Sequence, residues 1–416
     1  MYEVIIINYN KEIVINSMST DKNANRITGA FKQGINTIDS FTFRITPNNS
    51  GYNYLHPFKT LINIVNTKTK EVEFRGRVLL PSPSMAANGM MFKNVVCESE
   101  LAYLTDSTTR YGEYHNISVR QYLELVIDNH NKNVELEKRF EVGIITVKDN
   151  NDSLYRYLNY EETFTAIQDD LIDKLGGELR IRHDNGVRYL DYLEEVGEKS
   201  TVEIRLAKNL QTIKQELDPS QIISRLVVLG AKNNDSDERL TIKSVNAGVD
   251  YIDDVEAIKE FGIIQRPVIF DDVTIANNLL SKGNEYLKSN NKIKRKHDIE
   301  ALDLFTIDLD HQSFRVGNYH KIINPIMFID DELRIIAKTT DINSPWNGSL
   351  TVGDKFDDIK DYQAKIKKKN KKIENDAVDA RLKVEKVNGN LDNTNKELTQ
   401  TSYDLKKQKK YIIMGV

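Results

Sequence analysis

The sequence predicts an α+β chain that is mainly β, with two β domains, α/β units beside them and a C-terminal coiled coil. Three observations predict it. Short stretches with apolar residues at every second position fill residues 1–100 and return from residue 201. Between them, apolar residues follow helical spacing. Residues 356–412 then carry an apolar 3.5-residue repeat with one glycine and no proline.

Composition bounds the reading. At 416 residues the chain has room for two to four domains. Apolar content of 39% beside 29% charged residues is low for one globule and suits globular domains plus a polar extended segment. The net charge of −4 is a small difference between 58 basic and 62 acidic residues, so there is no general electrostatic case for nucleic acid. The basic runs Ile366–Lys372 and Lys292–Lys296 read as solvated faces. Cys97 is the single cysteine, which excludes an intrachain disulfide and a cysteine-based zinc site and suits folding in a reducing cytoplasm. The start, MYEVIIINYN, has Glu3 and no basic region, so it reads as a first strand rather than a signal peptide. No stretch approaches 18 uninterrupted apolar residues, so no membrane span is expected.

In chain order, Val4–Ile7, Glu12–Ile15, Ser40–Ile45, Leu61–Val65, Glu71–Leu80 and Phe92–Cys97 read as strands. Asn48–Gly51 and Pro81–Pro83 read as turns. Many short strands with polar turns predict a barrel or a sandwich for 1–100. Residues 101–200 read as an α/β unit. Ser118 and Gln121 have capping-box spacing, with Ile117 placed to staple against Tyr122. Val119, Tyr122, Leu123, Val126, Ile127 and His130 form one stripe, which makes His130 a packed histidine rather than a ligand. A second helix spans Thr163–Leu175 and ends at Gly176 and Gly177. His183-Asp-Asn-Gly186 then joins strands Glu178–Arg182 and Val187–Leu193 in a hairpin.

Strands return at Val202–Leu206, Thr212–Gln215 and Ile222–Leu229, and again at Asp298–Leu302, Phe314–Val316, Tyr319–Ile323, Glu332–Thr339 and Ser349–Val352. Helical patches at Val255–Phe261 and Val273–Leu287 lie between, with Asp271 and Asp272 opening the second. Residues 231–296 therefore read as an insertion into a second β domain made of 201–230 and 297–353.

The segment 354–416 is expected to be a coiled-coil stalk. With Phe356 at heptad position a and Ile359 at d, twelve of 17 a and d positions are apolar, against six of the other 40 residues through Ile412. The seam comprises Ile359, Ile366, Asn370, Ile373, Ala377, Ala380, Val384, Val387, Leu391, Leu398 and Leu405, with Asn370 or Gln363 setting register. Isoleucine at three successive d positions favours more than two strands. So polar a helix is not stable alone, so sister copies must share its seam.

Chemistry is sparse. None of the seven histidines falls in a metal-ligand motif. The acidic run from His297 through Asp308, Asp310 and His311 reads as the wet face of a strand. Asn234–Glu238 resembles a calcium loop only in composition. Cys97 reads as a buried thiol. The pairs Glu161-Glu162 and Glu194-Glu195 are the kind any acid-rich chain offers. No catalytic, cofactor or metal residue is assigned, and no cofactor is expected.

The stretches MYEVIIINYN, FTFRITPNN (41–49), FRGRVLLPSPSM (74–85), VVCESELAYLTDST (95–108), DPSQIISRLVVLGAK (218–232), RVGNYHKI (315–322) and SLTVGDK (349–355) resemble the phage minor tail proteins of the prophage tail endopeptidase, or tail-associated lysin, family. That resemblance implies a baseplate hub similar to that of T-even phages, located in the virion at the distal tail tip and made in the host cytoplasm. The two β domains would be barrels, 1–100 and 201–230 with 297–353, in a homotrimer whose pseudo-sixfold ring meets the hexameric distal tail protein. The units 101–200 and 231–296 would decorate it, and the coiled coil would be a trimeric stalk. Tape measure protein, receptor-binding proteins and tail fibres are the further partners implied, with DNA only in transit. The family name also implies the rival function, a peptidoglycan endopeptidase, whose module is expected beyond residue 416. A third option is a glycan-binding module using Tyr52, Tyr54 or Trp346.

Overall fold

A computed structural model describes residues 2–8, 11–17, 25–149, 156–218, 222–232, 238–270, 273–290 and 294–354, and in the C-terminal segment 381, 384, 386–388, 390, 391 and 393–406. It divides into two compact units, Met1–Lys355 and Phe356–Val416. The larger unit is mainly β.

Its first strands are β1 (Tyr2–Asn8), β2 (Lys11–Asn16), β3 (Thr28–Gly34), β4 (Ser40–Ile45), β5 (Leu61–Asn66), β6 (Val72–Met85) and β7 (Met91–Ser99). Alternation decides their facing: Tyr2, Val4, Ile6 and Asn8 of β1 are buried, while Glu3, Ile5 and Ile7 are half-exposed. Phe31, Phe41, Phe43, Phe74, Ile45, Ile62 and Cys97 complete one core, with the Phe41 and Phe43 rings stacked at 5.0 Å. The strand β3 is unannounced in sequence because TGAFKQG offers one large apolar side chain, Phe31. Conversely, Pro81 and Pro83, expected in a turn, lie inside β6. There β6 pairs only with β7 among the described residues, so prolines lacking an N–H are tolerated on the open edge.

The next hundred residues hold β8 (Gly112–Tyr114), α1 (Val119–Asn133), β9 (Glu141–Ile145), β10 (Arg156–Leu158), α2 (Thr163–Ile167), a wide π turn (Gln168–Ile172), α3 (Asp173–Leu175), β11 (Glu178–Asp184) and β12 (Val187–Leu193). The capping box at Ser118 and Gln121 forms as expected. Asn185 (φ 49°) and Gly186 (φ 80°) close the β11–β12 hairpin, both in the left-handed region that a type I′ turn requires. Tyr122, Leu123, Val126, Ile127, Ile167, Leu171 and Leu190 form its core.

The remaining elements are β13 (Ile204–Arg205), β14 (Leu210–Asp218), β15 (Arg225–Lys232), β16 (Arg239–Thr241), β17 (Tyr251–Asp253), α4 (Val255–Phe261), β18 (Gln265–Ile269), α5 (Ala276–Asn290), β19 (Lys294–Leu302), β20 (Tyr319–Asn324), β21 (Ile329–Asp341) and β22 (Asn347–Gly353). The strand β15 pairs with β16, β17 and β18, and α5 packs on that small sheet through Leu279 and Leu287. Asp271 and Asp272 lie outside the described residues. Phe314–Val316 is loop rather than strand: the Phe314 ring is buried, its N–H donates to Asp303, and its carbonyl accepts from Lys338. Asp308 and Asp310 likewise leave no strand face. Asp308 (φ 62°) terminates a 3-10 turn, Leu304–Ile307.

A repeat governs the architecture. The first half runs β3-β4-β7-β6-β5-β1 across the sheet, and the second runs β14-β19-β22-β21-β20-β13, in the same chain order. Both long strands carry an irregularity at their seventh residue, Val78 of β6 and Ile335 of β21. The halves join where β3 pairs antiparallel with β21, from Ala337 opposite Gly34 to Asp341 opposite Ala30. Instead of two closed barrels, one open thirteen-stranded sheet results, because β21 is long enough to hold β20 with its first residues and β3 with its last.

Candidate assembly surfaces

The turn between β5 and β6 and its counterpart between β20 and β21 are built alike. The Asn66 side-chain oxygen accepts from the N–H groups of Lys68 (3.0 Å) and Thr69 (3.4 Å). The Asn324 oxygen accepts from Ile326 (3.1 Å) and Met327 (3.3 Å). Four residues after each asparagine the chain is left-handed, at Lys70 (φ 62°) and Phe328 (φ 55°). What the turns present is opposite in kind. The first displays Lys68, Thr69 and Lys70. The second displays Ile326 (77% exposed), Met327 and Phe328 (96% exposed). Sequence reasoning passed over this turn, although Asn-Pro marks a turn and three large apolar residues in one are unusual.

The first turn has a partner within the chain. Lys68 donates to the Phe305 carbonyl, lies 4.0 Å from the Phe305 ring centre and pairs with Asp308 at 2.6 Å. Glu71 pairs with Arg315 at 2.5 Å. Both contacts reach the β19–β20 loop of the second half, beside the β3–β21 ladder. No described residue of the chain is hydrogen-bonded to the side chains of Ile326, Met327 or Phe328, which have nothing polar to offer.

Charged groups tie the α/β unit to the sheet. Arg77 is 1% exposed and its guanidinium spans Glu98 (2.8 Å) and Asp106, which also binds Lys138 at 3.0 Å. Burial pushes the Asp106 carboxyl up, but hydrogen bonds from Arg77 and Lys138 outweigh it and hold the group below its usual range. Arg334 of β21 grips Glu178 with two bonds, 2.5 and 2.6 Å. Asn36 clasps the β11 start, donating to the Gly177 carbonyl and accepting from the Leu179 N–H. Beside it, Asp39 lines a cleft of about 320 Å³ with Gln33, Glu178 and Arg180, and burial pushes its carboxyl up to about 7.

Groups with catalytic chemistry are placed as struts. Ser107 Oγ lies 2.7 Å from His130 Nδ1, the spacing of an activated hydroxyl. Yet both residues are buried, and His130 Nε2 meets the Lys138 carbonyl at 3.1 Å. A carbonyl only accepts, so Nε2 carries the proton, and Ser107 donates to Nδ1 while accepting from Thr163. The Cys97 thiol is fully buried and pushed up by that burial. Glu161 accepts from the Asn159 N–H, and Glu195 from the Tyr319 hydroxyl. Among the described residues no group of three or more His, Cys, Asp and Glu could hold a metal ion, and no helix is long and apolar enough to cross a membrane. Asn234–Asp237 lies outside the described residues. Of the aromatic side chains expected to meet glycan, Tyr54 is exposed, while Tyr52 packs against the first core and Trp346 is half-buried.

In the C-terminal unit every described residue is helical. Val384, Val387, Leu391, Leu398 and Leu405 of the expected seam are between 58% and 62% exposed. Their spacing places them along one helix face. Ile359, Ile366, Asn370, Ile373, Ala377 and Ala380 lie outside the described residues, as do Phe356 and Gln363.

Residues 198–363 match the family model described as "Prophage endopeptidase tail". No curated protein matches the chain. Among solved structures, the 43 kDa tail protein of prophage MuSo2 from Shewanella oneidensis superposes with a TM-score of 0.58 at 14% identity, covering 85% of this chain and 98% of that one. The tail protein from Neisseria meningitidis MC58 gives 0.54 at 12% identity, covering 85% and 96%. Prophage tail protein gp18 from Listeria monocytogenes EGD-e gives 0.51 at 16%, covering 88% and 98%. Each likeness spans nearly the whole of the relative and at least 85% of this chain. Residues 198–363 are thus similar to the prophage endopeptidase tail family, and the fold of the chain is that of the prophage tail proteins it superposes on.

Proposed function

We propose that this tail protein is the structural baseplate hub of a siphophage tail tip. Three copies surround the tail axis, adapt the hexameric ring of the distal tail protein to a threefold tip, and close the tube until DNA is ejected. The observation that carries the reading is the repeated strand order. A chain with two like β halves offers, in three copies, six like units in one ring, the number a hexameric partner requires. In this reading the hub domains are 1–100 and 201–230 with 297–353, decorated by 101–200 and 231–296. The segment 354–416 is a trimeric stalk, and the apolar face from Val384 to Leu405 is covered by sister helices. Tape measure protein, receptor-binding proteins and tail fibres are its further neighbours.

Light scattering of the full chain tests the copy number. Three copies per particle are expected, and a monomer at tens of micromolar would remove the hub reading. The family description favours one rival, a peptidoglycan endopeptidase. Zymography on host cell walls separates them: the hub reading expects no clearing by this chain. Clearing that is lost on a single Asp, Glu or His substitution would replace it.

A further inference from the structure

In the repeat within the chain, the exposed apolar Ile326–Phe328 turn stands where the Lys68 turn stands in the first half. Inside one copy, the first half meets the second through two elements: β3 lies along β21, and the Lys68 turn sits on the β19–β20 loop at Phe305 and Asp308. The second half carries counterparts of both donors, β14 for β3 and the Ile326–Phe328 turn for the Lys68 turn. The first half carries counterparts of both receivers. The strand β6 corresponds to β21, and the β4–β5 loop, with its own 3-10 turn at Tyr52–Tyr54, corresponds to the β19–β20 loop. Among the described residues the donors of the second half meet no receiver of this kind, and the receivers of the first half meet no donor.

We propose that a second copy of this chain completes the pair: the Ile326–Phe328 turn of one copy packs on the exposed Tyr54–Phe58 loop of the next. The two patches differ in sequence and position, so the contact is heterologous and repeats head to tail until it closes a ring. Side-chain chemistry fits the assignment. Within the chain the turn is cationic and its receiver offers Asp308 and a carbonyl. Between copies the turn is apolar, and its receiver offers the exposed Tyr54 and Phe58 rings and Pro57. Pro81 and Pro83 explain the difference. They sit on the β6 edge that corresponds to the β3-binding edge of β21, and each removes an N–H donor. A full main-chain ladder like that of β3 on β21 cannot form there, so apolar burial at the turn must replace it. The same prolines bar that edge from indiscriminate strand pairing.

The contact deepens the hub reading and rests on it only for the number of copies. The test is disulfide capture in the full-length protein, where Cys97 is buried and silent. Ile326→Cys and Tyr54→Cys chains carrying different tags are co-expressed and oxidised. The expected result is a disulfide joining the two tags. A chain bearing both substitutions should run as a ladder ending at three, and Ile326→Cys with Leu136→Cys should give no such ladder. Phe328→Asp, at a fully exposed left-handed position, should sharply reduce the linked product while leaving the melting temperature unchanged. Three copies without capture above the control would overturn this contact and leave the hub standing. Capture between two Ile326→Cys chains would show the turn meeting its own twin and overturn it as well. A wild-type monomer would remove both readings.

Discussion

Asn66 and Asn324 close the same turn in the two halves of the chain, each accepting from two N–H groups two and three residues ahead. Both are 5% exposed, so their oxygens satisfy donors that water reaches poorly. Asn66 also donates to Glu73 at 2.6 Å, a bond for which Asn324 shows no counterpart among the described residues. Asn324→Ala should therefore cost about 1 kcal/mol and Asn66→Ala about 2 kcal/mol in urea unfolding. Equal costs would show that the Glu73 bond contributes nothing.

Arg77 is the most deeply placed charge on the sheet, with two carboxylates on one guanidinium. Arg77→Met keeps the length but strands Glu98 and Asp106 without their shared cation. A loss of about 3–5 kcal/mol is expected at neutral pH. The sign with pH follows from Asp106, whose folded carboxyl is depressed. Its contribution is present above the ordinary value of 3.8 and disappears as pH falls through the folded value. The gap between wild type and variant should therefore narrow on acidification. A gap that stays constant as pH falls well below 3.8 would mean the Asp106 carboxylate does not depend on Arg77.

How much of this was legible in the sequence depends on the element. The capping box at Ser118 and the Asn185-Gly186 hairpin are local devices, and both appear where the residues place them. Alternation gave most strands of both halves. It failed at β3, whose pairing rests on Phe31 and main-chain bonds, and at Pro81–Pro83, where an open edge tolerates residues that elsewhere mark a turn. The joining of the halves was hidden because β3 and β21 lie some three hundred residues apart and nothing local specifies their pairing. The Ile326–Phe328 turn escaped notice for a related reason: its meaning comes from comparison with Asn66–Lys70.

Asp39 gives the cleft beside Asn36 a pH response. Burial raises its carboxyl to about 7, only partly countered by the Gly34 N–H. A raised folded value means the protonated group stabilises the fold. That contribution is complete below 3.8, falls as pH rises to about 7, and changes no further above it. Asp39→Asn keeps an acceptor for Gly34 without the charge. At pH 8 it should stabilise the protein by about 1–2 kcal/mol, less than the full shift implies because the side chain is half-exposed. At pH 4 it should be nearly neutral. Destabilisation at pH 8 would show that the ionised carboxylate is a favourable partner in the cleft.

Leu391 and Leu398 test the C-terminal unit in its own terms. Both are about three-fifths exposed on a helix whose other described residues are polar apart from Val384, Val387, Tyr403 and Leu405, so one helix covers neither. Deleting a seam leucine in a shared core costs about 2–5 kcal/mol per copy, and placing a charge there costs more. Leu391→Asp with Leu398→Asp should lower the helical signal of the full chain at 222 nm and leave the β core intact. Lys396→Asp, expected at an outward position, should leave both the helical signal and the β core unchanged. If the double variant keeps its helicity, the helix does not depend on sister copies to cover that face.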